Sequence, residues 1–216
     1  MKVLKIGFPS GSLKESTFNL FGKAGYRVRL APRSYVPDID DPELDGLMFR
    51  AQEIAQYVER GVVDVGLTGK DWILENDAHV VEIDELIYSK STSRPVSWVI
   101  AVPEESPVQK VEDLQGKRIA TELVGATRRF LAVRGVEAEG EFSVCESTTR
   151  FIVSKEAWED SWKREKAENL LMLLKGALQA EAKVGLKMNV PRAQLDQVIA
   201  QLPALHTPTI SSQQDE

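Results

Sequence analysis

Apolar positions along the chain fall in two rhythms, short continuous runs and helix-spaced stripes, and their alternation predicts an α/β architecture. Val3 to Phe8 reads as a buried strand that breaks at Pro9-Ser10-Gly11. A helix follows, with Ser12 and Glu15 at capping-box spacing, Leu13, Phe18, Leu20 and Phe21 on its apolar face, and Gly25 at its end. From Tyr26 to Val36 short β-prone pieces alternate with Arg27, Arg29 and Arg33, and the stretch from Pro37 to Pro42 is an acidic loop. Helical spacing of Leu47, Ile54, Ala55 and Val58 predicts a second helix from Glu43 to Arg60. Val62 to Leu67 is an apolar run suited to a buried parallel strand, Thr68 to Asp71 a turn, and Trp72, Ile73 and Leu74 belong to a short helix. Strand, glycine turn and helix have then occurred twice, which favours a largely parallel sheet.

A second α/β unit starts near Pro95. The pattern predicts strands over Val96 to Val102, Lys117 to Thr121 and Val136 to Val144, with a loop and short helix from Pro103 to Gly116 and a helix from Gly125 to Arg134. Ser147 to Glu181 reads as one long amphipathic helix with a break near Ser154. Lys183 to Val190 alternates like a half-exposed strand, Pro191 opens a short helix over Arg192 to Leu202, and Thr207 to Ser211 returns as a strand. The expected organisation is a first lobe at 1–94, a shortened second lobe at 95–145, a helical segment at 146–182 returning to the first lobe, and a small C-terminal unit at 183–216.

Composition narrows the class. The 216 residues carry a formal net charge of -6, an ordinary balance that argues against a general nucleic-acid or membrane-surface binder. One cysteine, Cys145, cannot form an internal bridge, and with His79 and His206 it leaves little for a zinc site. No apolar run approaches the roughly 20 residues of a membrane span, and the N-terminus is too quickly polar for a signal peptide, so a cytoplasmic protein is expected.

Four places carry candidate chemistry. A strand running through Gly11 into a helix leaves the amides of Gly11, Ser12 and Leu13 free to seat a phosphate, or simply caps the helix. Arg50, expected mid-helix, suits bidentate phosphate binding or stands as a solvated surface cation. Gly66 to Asp71 lets a ligand approach backbone at a strand's carboxyl end, and Asp71 equally caps the next helix. Thr121 to Arg129 faintly imitates an anion-binding turn and reads more simply as a loop entering a helix. There is no Walker A or dinucleotide-binding glycine motif. These features alone do not choose between an enzyme and a binding protein.

The ordered set Pro9-x-Gly11-Ser12-Leu13, Arg50-Ala51-Gln52-Glu53-Ile54 with Tyr57-Val58-Glu59, Asp64 to Trp72, Arg118 to Glu122, and Glu146 to Arg150 leading into Lys155 to Trp158 resembles the ATP phosphoribosyltransferases of histidine biosynthesis. Lys183 to Pro191 resembles the first strand of the long-form regulatory domain. The resemblance implies a two-lobed frame of the type 2 periplasmic-binding-protein kind, with the start of a ferredoxin-like regulatory domain. It further implies ATP and phosphoribosyl pyrophosphate as substrates, Mg²⁺ as cofactor, and a homo-oligomer, with histidine as effector if the regulatory domain is complete. By matched position Gly11, Ser12, Leu13, Arg50, Gly69, Asp71, Thr121 and Glu122 bind substrate, and none acts in proton transfer.

Two departures from the family pattern stand out. Ser10 replaces a usual lysine. Between Ser143 and Glu146 the family's loop for the phosphoribosyl 5′-phosphate has no counterpart. The expected consequence is a transferase with weakened transfer; the alternative is a non-catalytic ATP- or anion-binding module on the same frame.

Overall fold

The computed structural model describes residues 2–88, 96–97, 99, 101–137, 139–140 and 146–189. β1 (Leu4–Pro9) exposes only Lys5, the burial of a strand covered on both faces. It enters a 3₁₀ turn at Gly11–Leu13, where Gly11 takes a φ of 75°, a left-handed conformation that costs glycine little. Only then does α1 (Lys14–Lys23) begin, with Leu13 as its N-cap. The expected Ser12–Glu15 capping box therefore does not form, because the 3₁₀ turn pushes the helix start past Ser12.

A two-stranded hairpin, β2 (Val28–Arg29) with β3 (Asp38–Ile39), precedes β4 (Leu44–Phe49) and α2 (Ala51–Glu59). The helix expected from Glu43 to Arg60 is thus a strand followed by a helix, and Arg50 lies at the junction as N-cap. Gly46 shows why the strand wins. A Cβ there would stand 2.5 Å from Pro37 Cγ and 3.0 Å from the Phe8 ring, a close approach made by pairing with β1.

β5 (Val65–Gly69), α3 (Lys70–Glu75) and β6 (Val81–Leu86) follow, the last an element the apolar pattern did not reveal. The second-lobe segment holds β7 (Val96–Ser97), a 3₁₀ turn at Val111–Leu114, β8 (Arg118–Ile119), α4 (Val124–Ala132) and β9 (Glu139–Gly140). The chain then gives β10 (Glu146–Ser147), β11 (Thr149–Val153), α5 (Lys155–Glu159) and α6 (Ser161–Asn189). The residues expected to open a long helix at Ser147 instead form strands. Phe151, Ile152 and Val153 are fully buried, and β11 bonds on both edges, which satisfies its backbone as a helix would.

The main sheet runs β4-β1-β5-β11-β6. β4, β1 and β5 are parallel, whereas β11 is antiparallel to β5 and β6, so the sheet is mixed rather than largely parallel. One face carries Leu20 and Phe21 of α1 with Ala167, Leu170, Leu171 and Leu174 of α6. The other carries Ile54, Ala55 and Val58 of α2 with Ile73 of α3. Leu114, Leu131 and Val136 form a separate small core in the second-lobe segment.

Gly66, in the middle of β5, meets α2 without a side chain. A Cβ there would lie 2.5 Å from Ile54 Cγ2 and 2.9 Å from Val58 Cγ2. Gly66→Ala is expected to cost about 1–3 kcal/mol through overpacking. A thermal melt checks this, at about 2–4 °C lost per kcal/mol for a unit of this size.

Residues Met1–Leu178 form one compact unit and Gln179–Glu216 a second. In the second, the stretch expected as a strand from Lys183 is helical through Asn189. A helix closes its own hydrogen bonds, whereas a strand needs a neighbour, and no strand is described beyond Val153. Cys145, most of the expected strand from Val136 to Val144, the helix over Arg192 to Leu202 and the strand over Thr207 to Ser211 lie outside the described residues. Among the described residues no helix is long and apolar enough to cross a membrane.

Candidate functional site

Parallel pairing brings three strand ends to one edge of the sheet. Pro9 pairs with Phe49, and Gly7 pairs with Gly66. The Ser10 amide donates to the Phe49 carbonyl at 2.6 Å. The Gly11–Leu13 turn, Arg50 and the Gly69–Asp71 turn therefore follow neighbouring strands at the same edge, where open α/β sheets bind ligands.

Each turn is held by local bonds. The Arg50 amide donates to Glu53 Oε2 at 3.3 Å, and the Glu53 amide donates to the Arg50 carbonyl at 2.9 Å, fixing the start of α2. The buried Thr68 hydroxyl donates to the Ala51 carbonyl at 2.7 Å and ties the end of β5 to that first turn. The Lys70 amide donates to the Thr148 carbonyl at 2.9 Å. Gly11 and Ser12 are exposed, Leu13 is half-buried, and Asp71 is buried with Oδ1 accepting from the Trp72 amide at 3.0 Å. Gly69, not Asp71, is the N-cap of α3.

Charge at this edge is selectively neutralised. Lys70 Nζ pairs with Glu82, and Arg150 lies 3.5 Å from Glu85 and 4.0 Å from Glu82. The Arg50 guanidinium is exposed, and among the described residues no ion pair to it is found.

Two neighbours went unread in the sequence. Among the described residues Thr148 Oγ1 is buried with no hydrogen-bond partner, at the residue whose carbonyl holds Lys70. A threonine inside an apparent helix gives no such signal. The Tyr88 hydroxyl lies 2.8 Å from Thr17 Oγ1, and its pKa is pushed up to about 12, first by burial, with the bonds to Thr17 and Thr149 pulling the other way.

Thr121 and Glu122 stand elsewhere. They line a hollow of about 520 Å³ together with Lys117, Arg118, Pro103 and Val108. No residue of the three strand-end turns lines that hollow. The eight expected residues thus divide into a group of six on the sheet edge and a pair in the second-lobe segment.

The opposite side of the molecule carries structural charges. Asp64 is buried, accepts from the Lys5 amide at 2.8 Å and pairs with Lys163 at 2.7 Å. Lys166 bridges Asp41 at 2.8 Å and Glu43 at 2.7 Å. Burial is the largest single influence at Asp41 and opposes ionisation, but the Lys166 hydrogen bond, the Glu43 amide and the Lys166 charge together outweigh it and hold the carboxyl below its ordinary 3.8. At Asp84 the Lys175 hydrogen bond does the same. Burial lowers the pKa of Lys166, and its two carboxylates more than reverse that, to above 10.5. Both aspartates lend stability that is complete above pH 3.8 and lost as pH falls through their lowered values. Lys166 lends stability below pH 10.5 that is lost as pH rises through its raised value. Urea unfolding is expected to show little contribution from this cluster to pH dependence between pH 5 and 9 and a fall below about pH 4, with Lys166→Met reducing neutral stability and flattening the acid limb.

The ATP phosphoribosyltransferase (HisG) family model matches residues 50–143, and the HisG C-terminal-domain model matches residues 180–216. The ATP phosphoribosyltransferase of Thermodesulfovibrio yellowstonii is 51% identical over 250 positions, covering 100% of this chain and 86% of the relative. That of Chlorobium phaeobacteroides is 49% identical, covering 99% and 85%. The solved ATP phosphoribosyl transferase (HisG:HisZ) complex from Thermotoga maritima shares the fold, with a TM-score of 0.67 at 18% identity over 83% of this chain and 99% of that one. Three strand-end turns at one edge of an α/β sheet, in a sequence half identical to such enzymes along its whole length, have one reading: the chain belongs to the ATP phosphoribosyltransferase family.

Proposed function

We propose that this chain binds ATP at the sheet edge and joins it to phosphoribosyl pyrophosphate, forming phosphoribosyl-ATP and pyrophosphate, the first step of histidine biosynthesis. The adenine N1 lone pair attacks the ribosyl C1, and the C1–O bond breaks with its electrons leaving on pyrophosphate. No side chain needs to take or give a proton in that displacement. The protein's work is alignment of the two reactants and stabilisation of phosphate charge. Backbone N–H groups of Gly11 to Leu13 and the Arg50 guanidinium supply the charge-complementary groups, and Gly69 lets the nucleotide approach the β5 end. The observation that carries this reading is the side-by-side placement of these turns by the β4-β1-β5 register.

Mg²⁺ enters this reading with the phosphates. Among the described residues no group of three His, Cys, Asp or Glu side chains could hold a metal. Mg²⁺ would then be held by the substrate phosphates rather than by a cage of the described side chains, and would neutralise charge on the leaving pyrophosphate.

The phosphoribosyl side is the weaker half of the site. An alignment of 250 positions against 216 residues leaves 34 positions of the relative with no counterpart. The family match stops at Ser143, and the segment resembling the family resumes at Glu146. On this reading the unmatched positions lie between these two segments and include the family's 5′-phosphate loop. This favours the second reading, an ATP-binding module with little transfer. Calorimetric titration separates the two: heat with both Mg-ATP and Mg-phosphoribosyl pyrophosphate supports the transferase, and heat with Mg-ATP alone supports the module. No heat with either removes both.

Thr148 adds a specific expectation. Thr148→Val removes a buried hydroxyl that no described residue satisfies, so stability holds or rises. If that hydroxyl serves the nucleotide, the Kd for ATP rises about fivefold, the worth of roughly 1 kcal/mol. Calorimetry and a thermal melt on the same variant read the two effects separately.

A further inference from the structure

α4 begins badly by its own sequence. Its N-cap is Leu123, a residue with no side-chain acceptor, and no local side chain caps it. The amides of Gly125 and Ala126 nevertheless have partners. They donate to the two carboxylate oxygens of Glu75, at 3.0 and 2.9 Å, from fifty residues upstream. Glu75 is the last residue of α3, so the C-terminal end of one helix supplies the cap of another. The exchange is mutual. Arg129 of α4 donates to the Leu74 carbonyl, which also accepts from the Asp77 amide at 3.2 Å, and, at 3.3 Å, to the Glu75 carbonyl at the α3 end.

Gly125 permits this approach. A Cβ on it would lie 2.6 Å from the Glu75 carbonyl oxygen, a backbone atom that cannot swing aside. The two helices meet through a carboxylate, a guanidinium and a missing side chain.

What the contact joins gives it meaning. α3 starts at the Gly69–Asp71 turn, and at six residues it is a strut about 9 Å long. α4 follows directly on Thr121 and Glu122, with the Leu123 amide held by Thr121 Oγ1 at 3.0 Å. The sheet-edge group and the second-lobe pair are thus tied across one short helix.

We propose that Glu75, seated against Gly125 and answered by Arg129, is a clasp that fixes the spacing between the Gly69–Asp71 and Thr121–Glu122 turns, making Glu75 a positioning residue for the nucleotide. It touches no reacting atom. The idea rests on the proposed ATP site for its consequence, but the clasp is measurable without ligand.

The test uses the full chain with three variants, Glu75→Ala, the milder Glu75→Asp, whose shorter arm cannot reach both amides, and Gly125→Ala. Amide hydrogen exchange at Gly125 and Ala126 is read beside the β1 amides as a control for folding. Mg-ATP affinity is read by calorimetry. In Glu75→Ala exchange at both α4 amides is expected to speed up about tenfold, the loss of a helix cap, with β1 protection intact. Glu75→Asp should fall between it and the parent, and Gly125→Ala should match Glu75→Ala. The Kd for Mg-ATP should rise about tenfold in Glu75→Ala and Gly125→Ala, with less change in Glu75→Asp. Unchanged exchange at Gly125 and Ala126 overturns the clasp. Faster exchange with ATP affinity within twofold of the parent overturns its positioning role and leaves a plain helix cap. A parent chain that binds no ATP defeats the functional reading and with it the positioning role, whereas exchange still decides whether the clasp exists.

Discussion

Arg50→Ala is expected to weaken Mg-ATP binding by about 10–100-fold. The guanidinium is exposed and sits one residue beyond a β4 end that pairs with β1, and among the described residues no ion pair to it is found. A charge-assisted bond to phosphate is worth roughly 1.5–3 kcal/mol, and each 1.4 kcal/mol is a factor of ten. Folding should not suffer, because the groups that fix this corner are the backbone of Arg50, the Glu53 carboxylate and the Thr68 hydroxyl. Arg50→Lys should recover part of the affinity, keeping charge but losing the two-pronged geometry. Raising salt should diminish the difference between parent and variant. Calorimetry at two ionic strengths checks all three points, and an Arg50→Ala chain that binds Mg-ATP like the parent would place the phosphates elsewhere.

The second large effect concerns turnover. On the reading that the 5′-phosphate loop is missing, the ribosyl C1 is poorly aligned with adenine N1. Alignment of reactants supplies about 7–11 kcal/mol in well-oriented systems, so loss of about 40% of that slows transfer by roughly a hundredfold or more. Purified chain is therefore expected to form phosphoribosyl-ATP at least about a hundredfold more slowly than the relatives that carry the 34 extra positions, at saturating ATP. Inserting the relative's segment between Ser143 and Glu146 should raise the rate while leaving ATP affinity within about twofold, a threshold of roughly 0.4 kcal/mol. A parent rate equal to the relatives' would show that the loop is not needed for transfer in this frame.

The strand-end turns were legible because glycine and proline punctuate them. Gly11 takes a positive φ, and Gly66 belongs to a strand that α2 approaches closely. Arg50 was legible as a residue but not as a position. Leu47, Ile54, Ala55 and Val58 fit a helical period, yet Leu44 to Phe49 finds a better environment paired with β1. Short apolar runs do not distinguish the two periods, and the long-range pairing decides.

β11 was hidden for a related reason. Its partners, β5 and β6, lie from 63 to 88 residues upstream, and nothing in Thr149 to Val153 names them. The same distance concealed Glu75. As an ordinary glutamate at a helix end it carries no motif, and only the fold brings it to the α4 amides. Thr121 and Glu122 were named from family position, and the structure sets them on a separate hollow joined to the sheet edge through α3. Local chemistry was readable; which distant segment completes it was not.

The shared edge itself is tested most directly by titrating Mg-ATP into isotopically labelled chain and following every backbone amide by nuclear magnetic resonance. Amides of Gly11 to Leu13, Arg50 to Gln52 and Gly69 to Asp71 should shift together, with one common Kd. Shifts confined to other parts of the chain, or these three turns responding with unrelated affinities, would contradict a single nucleotide seat at the β4-β1-β5 ends.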